Sequence, residues 1–186
     1  QLFENSLSRD IESLFKANSF LISPLNTPEK FLSGDYFLTE QQQNIRKEVM
    51  KLILESDWEC ILGITGKTLL LYDIVKEVAE KDKQCCLIHS GILCDGHRTL
   101  DRKWKKVDII PAKDLNEDGD KILKKYQYIF VDESQRIYES TFRKIIEEVN
   151  RESKVAVFAY DYVQSLSKAE VKRNIPEKLH KVDGFK

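Results

Sequence analysis

Several short stretches of this 186-residue chain place chemically capable side chains where an apolar strand-like run gives way to a turn. In "ILGITGKTLLL", residues 61–71, strand-forming residues meet Gly66, Lys67 and Thr68 and then an apolar helical run. The free N–H groups and positive dipole end of a helix starting there would face an anion. Lys67 would neutralise β- and γ-phosphate charge, and Thr68 would offer its hydroxyl to Mg²⁺. In "YIFVDESQR" an apolar run delivers Asp132 and Glu133 at its end. The first carboxylate suits a metal shell and the second suits polarising an attacking water. An exposed acidic turn capping the next helix is the plain structural alternative. In "FAYDYVQSLS" a strand again ends in an acid, Asp161, with Gln164 three residues on. Its amide can donate to a phosphate oxygen and accept from a water, as a γ-phosphate sensor must. Upstream, "FLTEQQQNIRKEV" carries Gln42, whose amide can form a donor-acceptor pair with an adenine edge.

The elements that would position these residues follow from hydrophobic periodicity. Leu7, Ile11, Leu14 and Phe15 suggest a short amphipathic helix over residues 6–17, followed by an irregular, turn-rich stretch. Thr39 is a plausible N-cap for a helix that presents Ile45, Val49, Leu52 and Ile53 on one face and ends near Asp57. Strands and helices then alternate. "ECILGI", "QCCLIHS", "VDIIP", "YIFVD" and "KVAVFAYD" read as strands. "KTLLLYDIVKEVAEK", "DLNEDGDKILKKY" and "STFRKIIEEVNRE" read as helices, the last capped by Ser140 or Thr141. Such alternation predicts an α/β fold, a mostly parallel sheet with helices on both faces, whose ligands sit at the carboxyl ends of the strands. Gly63, His89, Asp132 and Asp161 lie at or just beyond those ends.

Bulk properties narrow the function classes. Charged residues make up 33% and hydrophobic ones 41%, with 7 Gly and 4 Pro, a globular composition rather than a disordered or fibrous one. The longest apolar runs fall far short of a membrane span and the N-terminus lacks a signal-peptide core, so a cytoplasmic protein is expected. Cys60, Cys85, Cys86 and Cys94 show no C-x-x-C spacing and read as reduced core residues rather than metal ligands. A net charge of −1 carries no global signature of nucleic-acid binding. The local candidate is "HRTLDRKWKK", where Arg98, Arg102, Lys103, Lys105 and Lys106 surround Trp104. It offers either a phosphate-binding and base-stacking surface or a solvated basic face.

The four segments taken together resemble the first RecA-like lobe of superfamily 1 helicase-type ATPases, and most closely the Schlafen group 3-like DNA/RNA helicase domain family. The similarity spans roughly residues 36–180, which leaves residues 1–35 as an N-terminal extension and 36–186 as the lobe. It implies a RecA-like P-loop NTPase fold and the cofactors ATP and Mg²⁺. By it, Gln42 matches the adenine-reading Q-motif. Gly63, Thr65, Gly66, Lys67 and Thr68 fall in the Walker A region. Asp132, Glu133 and Gln135 match the Asp-Glu-x-Gln box, and Gln164 matches the motif III glutamine that links nucleotide to the nucleic-acid strand. Arg136 follows the box, where a surface ion pair is as reasonable as a phosphate contact. Single-stranded DNA or RNA and a second RecA-like lobe are the implied partners. A nucleotide-gated regulatory module without translocation is the alternative.

Two departures from the family pattern matter. The full phosphate loop reads Gly-x-x-x-x-Gly-Lys-Ser/Thr, but only Ile64 and Thr65 separate Gly63 from Gly66. Either the site is degenerate, as in a non-nucleotide scaffold, or further loop residues belong between Gly63 and Lys67, which an intact mass above 21.7 kDa would reveal. Helicase-type ATPases also complete their site with an arginine from a second lobe. The lobe alone is expected to bind ATP and Mg²⁺ but turn over slowly, since such arginines contribute about 10³–10⁵ in rate.

Overall fold

The computed structural model describes residues 22–55, 59–65, 68–161 and 167–186; the helix expected over residues 6–17 lies outside them. Five strands, β1 (Cys60–Thr65), β2 (Cys85–His89), β3 (Val107–Pro111), β4 (Tyr128–Asp132) and β5 (Val155–Tyr160), form one sheet. Its order is β1-β5-β4-β2-β3, and every pairing between these strands is parallel. Eight α-helices accompany the strands among the described residues: α1 (Pro28–Ser33), α2 (Glu40–Glu55), α3 (Thr68–Glu80), α4 (Asp95–Lys103), α5 (Leu115–Leu123), α6 (Glu139–Glu152), α7 (Lys168–Arg173) and α8 (Ile175–Leu179). The architecture is the α/β arrangement of a parallel sheet with helices on both faces, consistent with a RecA-like fold.

Strand side chains alternate between two cores, as the period of two requires. Cys60, Leu62 and Ile64 of β1 and Val155, Val157 and Ala159 of β5 meet α2 and α3 on one face. Ile61, Ala156 and Phe158 meet Phe142, Ile145 and Val149 of α6 on the other, together with Leu179 of α8. Both faces are covered, which is why β4 reads as an uninterrupted apolar run. Helix α3 buries Leu70, Leu71, Ile74, Val75 and Val78, each worth roughly 1.5–3 kcal/mol of transfer free energy.

Local chemistry sets the boundaries. Thr39 Oγ1 accepts the Gln42 N–H at 3.2 Å while Gln42 Oε1 accepts the Thr39 N–H at 2.9 Å, a reciprocal cap that starts α2 as expected. Pro28 opens α1 and Gly34, at φ 83°, ends it in the left-handed region. This helix lies inside the stretch expected to be irregular, and its Phe31 is fully buried against Tyr36, Tyr72 and Trp104. Strand β1 runs one residue further than expected, through Thr65. Helix α6 begins at Glu139 with Tyr138 at the cap position and no side-chain cap, in place of Ser140 or Thr141. Cys60, Cys85 and Cys86 are buried and free, whereas Cys94 is exposed, contrary to the expectation of a fourth core cysteine.

Candidate active site

The sheet order decides which strand ends can cooperate. Strand β1 leads to Gly66 and Lys67, which lie outside the described residues, and α3 resumes at Thr68, which is half-buried. The end of β5, with Asp161, lies between β1 and the Asp132 end of β4. At about 4.8 Å per strand, roughly 10 Å separates the ends of β1 and β4. The segment after β5 therefore starts between the two motifs, and its Gln164 lies outside the described residues. Gly63 and Thr65 are members of the β1 ladder, opposite Phe158 and Tyr160. Gly63 also donates its N–H to the Lys186 carbonyl at 2.9 Å, and a Cβ there would come within 2.4 Å of the Phe185 ring.

Asp132 is 3% exposed at the last position of β4. Its Oδ1 accepts the Glu133 N–H at 3.0 Å, and its Oδ2, 3.5 Å from His89 Nδ1, has no hydrogen-bond partner among the described residues. A buried carboxylate oxygen without a hydrogen bond is costly unless a cation faces it, and His89 is the group that faces it here. The Asp132 carboxylate thus fits a cation such as Mg²⁺. No cluster of three or more His, Cys, Asp or Glu is placed to hold a metal among the described residues.

Glu133 adopts a left-handed conformation, φ 52° and ψ 41°. Its Oε2 receives Gln135 Nε2 at 3.1 Å and Arg136 Nε at 3.0 Å, so Arg136 forms the ion pair weighed in the sequence, and its partner is Glu133 itself. Gln135, expected to bind nucleotide, is 2% exposed and spends its Oε1 on the Asp161 N–H at 3.3 Å. A polar chain thus runs from Arg136 through Glu133 and Gln135 to the end of β5. Beside it, the His89 and His97 rings lie 4.2 Å apart. His97 Nδ1 accepts the Cys94 N–H at 3.1 Å, which places the proton on a buried Nε2. Burial first, and the neighbouring His89 second, bring the His97 pKa down to about 4. The sequence offered no signal for this pair beyond the position of His89 at a strand end.

On the opposite side of α3, Arg46 of α2 pairs with Asp73 at 2.5 Å and Glu77 at 2.8 Å, and the Tyr36 hydroxyl donates to Asp73. These contacts tie the glutamine-rich helix to the helix that follows Lys67. They border a hollow of about 300 Å³ lined by Tyr36, Phe37, Gln43 and Arg46. Gln42 is turned back onto Thr39, so its Oε1 already holds one hydrogen bond and its Nε2 is the group left to read a base. The basic cluster resolves toward the solvated alternative. Trp104 packs edge-on against Phe31 at 5.9 Å instead of presenting an open ring, and Arg98, Lys103 and Lys106 pair with Asp95, Glu29 and Asp82.

No family model matches the chain, and the Schlafen group 3-like assignment gains no support from that comparison. Among curated proteins the chain is similar to ATP-dependent RNA helicase DBP3 of Eremothecium gossypii, at 30% identity over 87 residues. The match takes in 45% of this chain and spans 16% of that protein's length. Among solved structures it matches the C-terminal part of the Fun30 ATPase domain at 14% identity and a TM-score of 0.30, over 80% of this chain and 51% of that one. No helix among the described residues is long and apolar enough to cross a membrane.

Proposed function

We propose that the chain is the ATP-binding and hydrolysing lobe of a nucleic-acid-dependent, helicase-like ATPase. The observation that carries this is the pair at the end of β4: a buried Asp132 whose Oδ2 makes no hydrogen bond and faces His89 at 3.5 Å, followed by Glu133 in a left-handed turn. In this reading Thr68 and Asp132 hold Mg²⁺, which when bound would neutralise phosphate charge. Lys67 pairs with the β- and γ-phosphates, and Gly66 and the N-terminus of α3 supply backbone donors. Gln42 reads the adenine through its Nε2. Glu133 accepts a proton from the attacking water, and Gln164 senses the γ-phosphate. Single-stranded DNA or RNA, a second RecA-like lobe and a cytoplasmic setting belong to the same proposal, supported by the name of the helicase relative. Glu133→Gln should leave ATP affinity within about twofold and abolish hydrolysis; retained turnover would remove Glu133 from the role.

One observation favours the alternative, a nucleotide-gated module that binds without translocating. Gln135 already donates to the Glu133 oxygen that would take the proton, and the Arg136 guanidinium pairs with the same oxygen at 3.0 Å. A strand-displacement assay on the full chain with ATP separates the two readings: unwinding supports the helicase-like ATPase, and tight binding without unwinding supports the gated module.

A further inference from the structure

We propose that Ser90 is a positioning residue, whose hydroxyl holds the Asp132–Glu133 peptide in its left-handed turn and thereby fixes the Glu133 carboxylate; this rests on the reading of the site as an ATP hydrolase. The register pairs His89 with Asp132, so Ser90, one residue beyond β2, falls beside Glu133. Its Oγ lies 2.8 Å from the Asp132 carbonyl oxygen and 2.9 Å from the Glu133 carbonyl oxygen. Both are acceptors, so the single hydroxyl proton is shared between them.

That geometry selects one backbone conformation. In an extended strand, successive carbonyls point to opposite sides, and no single hydroxyl reaches two in a row. At Glu133 the turn to φ 52° swings the second carbonyl round to the same side as the first. The Ser90 contact therefore exists only while the turn exists, and it opposes continuation of β4 as strand. The other non-glycine residues with positive φ among those described, Asp82, Ser153 and Asn174, all follow helix ends, where a left-handed residue is the ordinary termination. Glu133 follows a strand and needs another cause, because left-handed residues with a side chain persist where their surroundings over-determine them. The Glu133 carbonyl also accepts the Arg136 N–H at 2.9 Å, so the amide of Arg136 reports whether the turn is closed. Had the chain continued as strand, the Glu133 side chain would leave on the other face and lose Gln135 and Arg136.

The test uses Ser90→Ala with Ser90→Thr and Ser90→Val, a pair of equal shape that differs in the hydroxyl. Three quantities are read on the full chain: ATP turnover, equilibrium ATP binding, and hydrogen exchange of the Arg136 amide. Ser90→Ala and Ser90→Val should lose roughly 10–100-fold in kcat, the usual effect of misplacing a reacting group by about an ångström. ATP affinity should stay within about twofold, Arg136 exchange should quicken, and Ser90→Thr should restore turnover and protection. Wild-type turnover in Ser90→Val, or Ser90→Thr as impaired as Ser90→Val, overturns the proposal. Should the wild-type chain hydrolyse no ATP, the hydrolase reading falls. The clamp is then judged on exchange alone: unchanged Arg136 protection in Ser90→Val overturns it, and lost protection upholds it.

Discussion

At the foot of the sheet, opposite the candidate site, Lys154 is 4% exposed and Glu148 is 2% exposed. Lys154 Nζ donates to Glu148 Oε1 at 2.8 Å and to the Leu123 carbonyl at 2.8 Å, joining α6, β5 and the end of α5. Arg151, half-exposed, pairs with the other Glu148 oxygen. Removing water from both charges costs several kcal/mol each, offset by their attraction and these hydrogen bonds. Glu148→Leu strands the ammonium with one carbonyl and should cost about 3–5 kcal/mol. Lys154→Met leaves Glu148 its Arg151 partner, so about 1–3 kcal/mol is expected. With both replaced, no charge is stranded in the core, and the double variant should be no worse than the milder single one, a coupling of about 3 kcal/mol. Urea unfolding of the four proteins at pH 7 measures it. Costs that simply add would refute the pairing argument. The site lies roughly 20 Å away along β5, so ATP binding by the folded double variant should match wild type.

Two further outcomes follow from close contacts. A Cβ on Gly96 would sit 1.9 Å from the Leu25 carbonyl oxygen, a backbone atom that cannot swing aside. Gly96→Ala should cost about 3 kcal/mol by urea unfolding, whereas Gly119→Ala, facing the flexible Lys144 side chain at 3.2 Å, should be neutral or stabilising by up to about 1 kcal/mol. His97 has its folded pKa lowered from 6.5 to about 4, so on acidification the unfolded chain takes up a proton first. Its contribution is therefore present above about pH 6.5 and lost as pH falls toward 4. On the order of 1–3 kcal/mol should disappear in that window, and His97→Gln should flatten the loss in a pH series of unfolding curves.

Strand and helix alternation was legible because β4 and β5 are covered on both faces and read as unbroken apolar runs, while α3 carries its apolar stripe at helical spacing. Helix α4 was not, because "DGHRTLDRK" buries Gly96, His97 and Leu100, and only the last of these is apolar enough to register as periodicity. Its charges left a solvated basic face and a binding surface both open, and the packing of the half-buried Trp104 against Phe31 favours the first. Asp132 and Glu133 could be placed at a strand end from sequence. Their partners could not, since Ser90, His89 and Arg136 meet them through sheet register and a left-handed turn, neither of which leaves a local pattern. The expected roles of Lys67 and Gln164 concern residues outside those described, and rest on the sequence motifs.

Nucleotide chemistry at the end of β4 is open to calorimetric titration of ATP into the full chain, with and without Mg²⁺. Wild type should bind saturably and more tightly with Mg²⁺, and Asp132→Ala should keep binding but lose the Mg²⁺ enhancement, since its Oδ2 makes no hydrogen bond. No saturable binding to the wild-type chain in either condition would contradict the account.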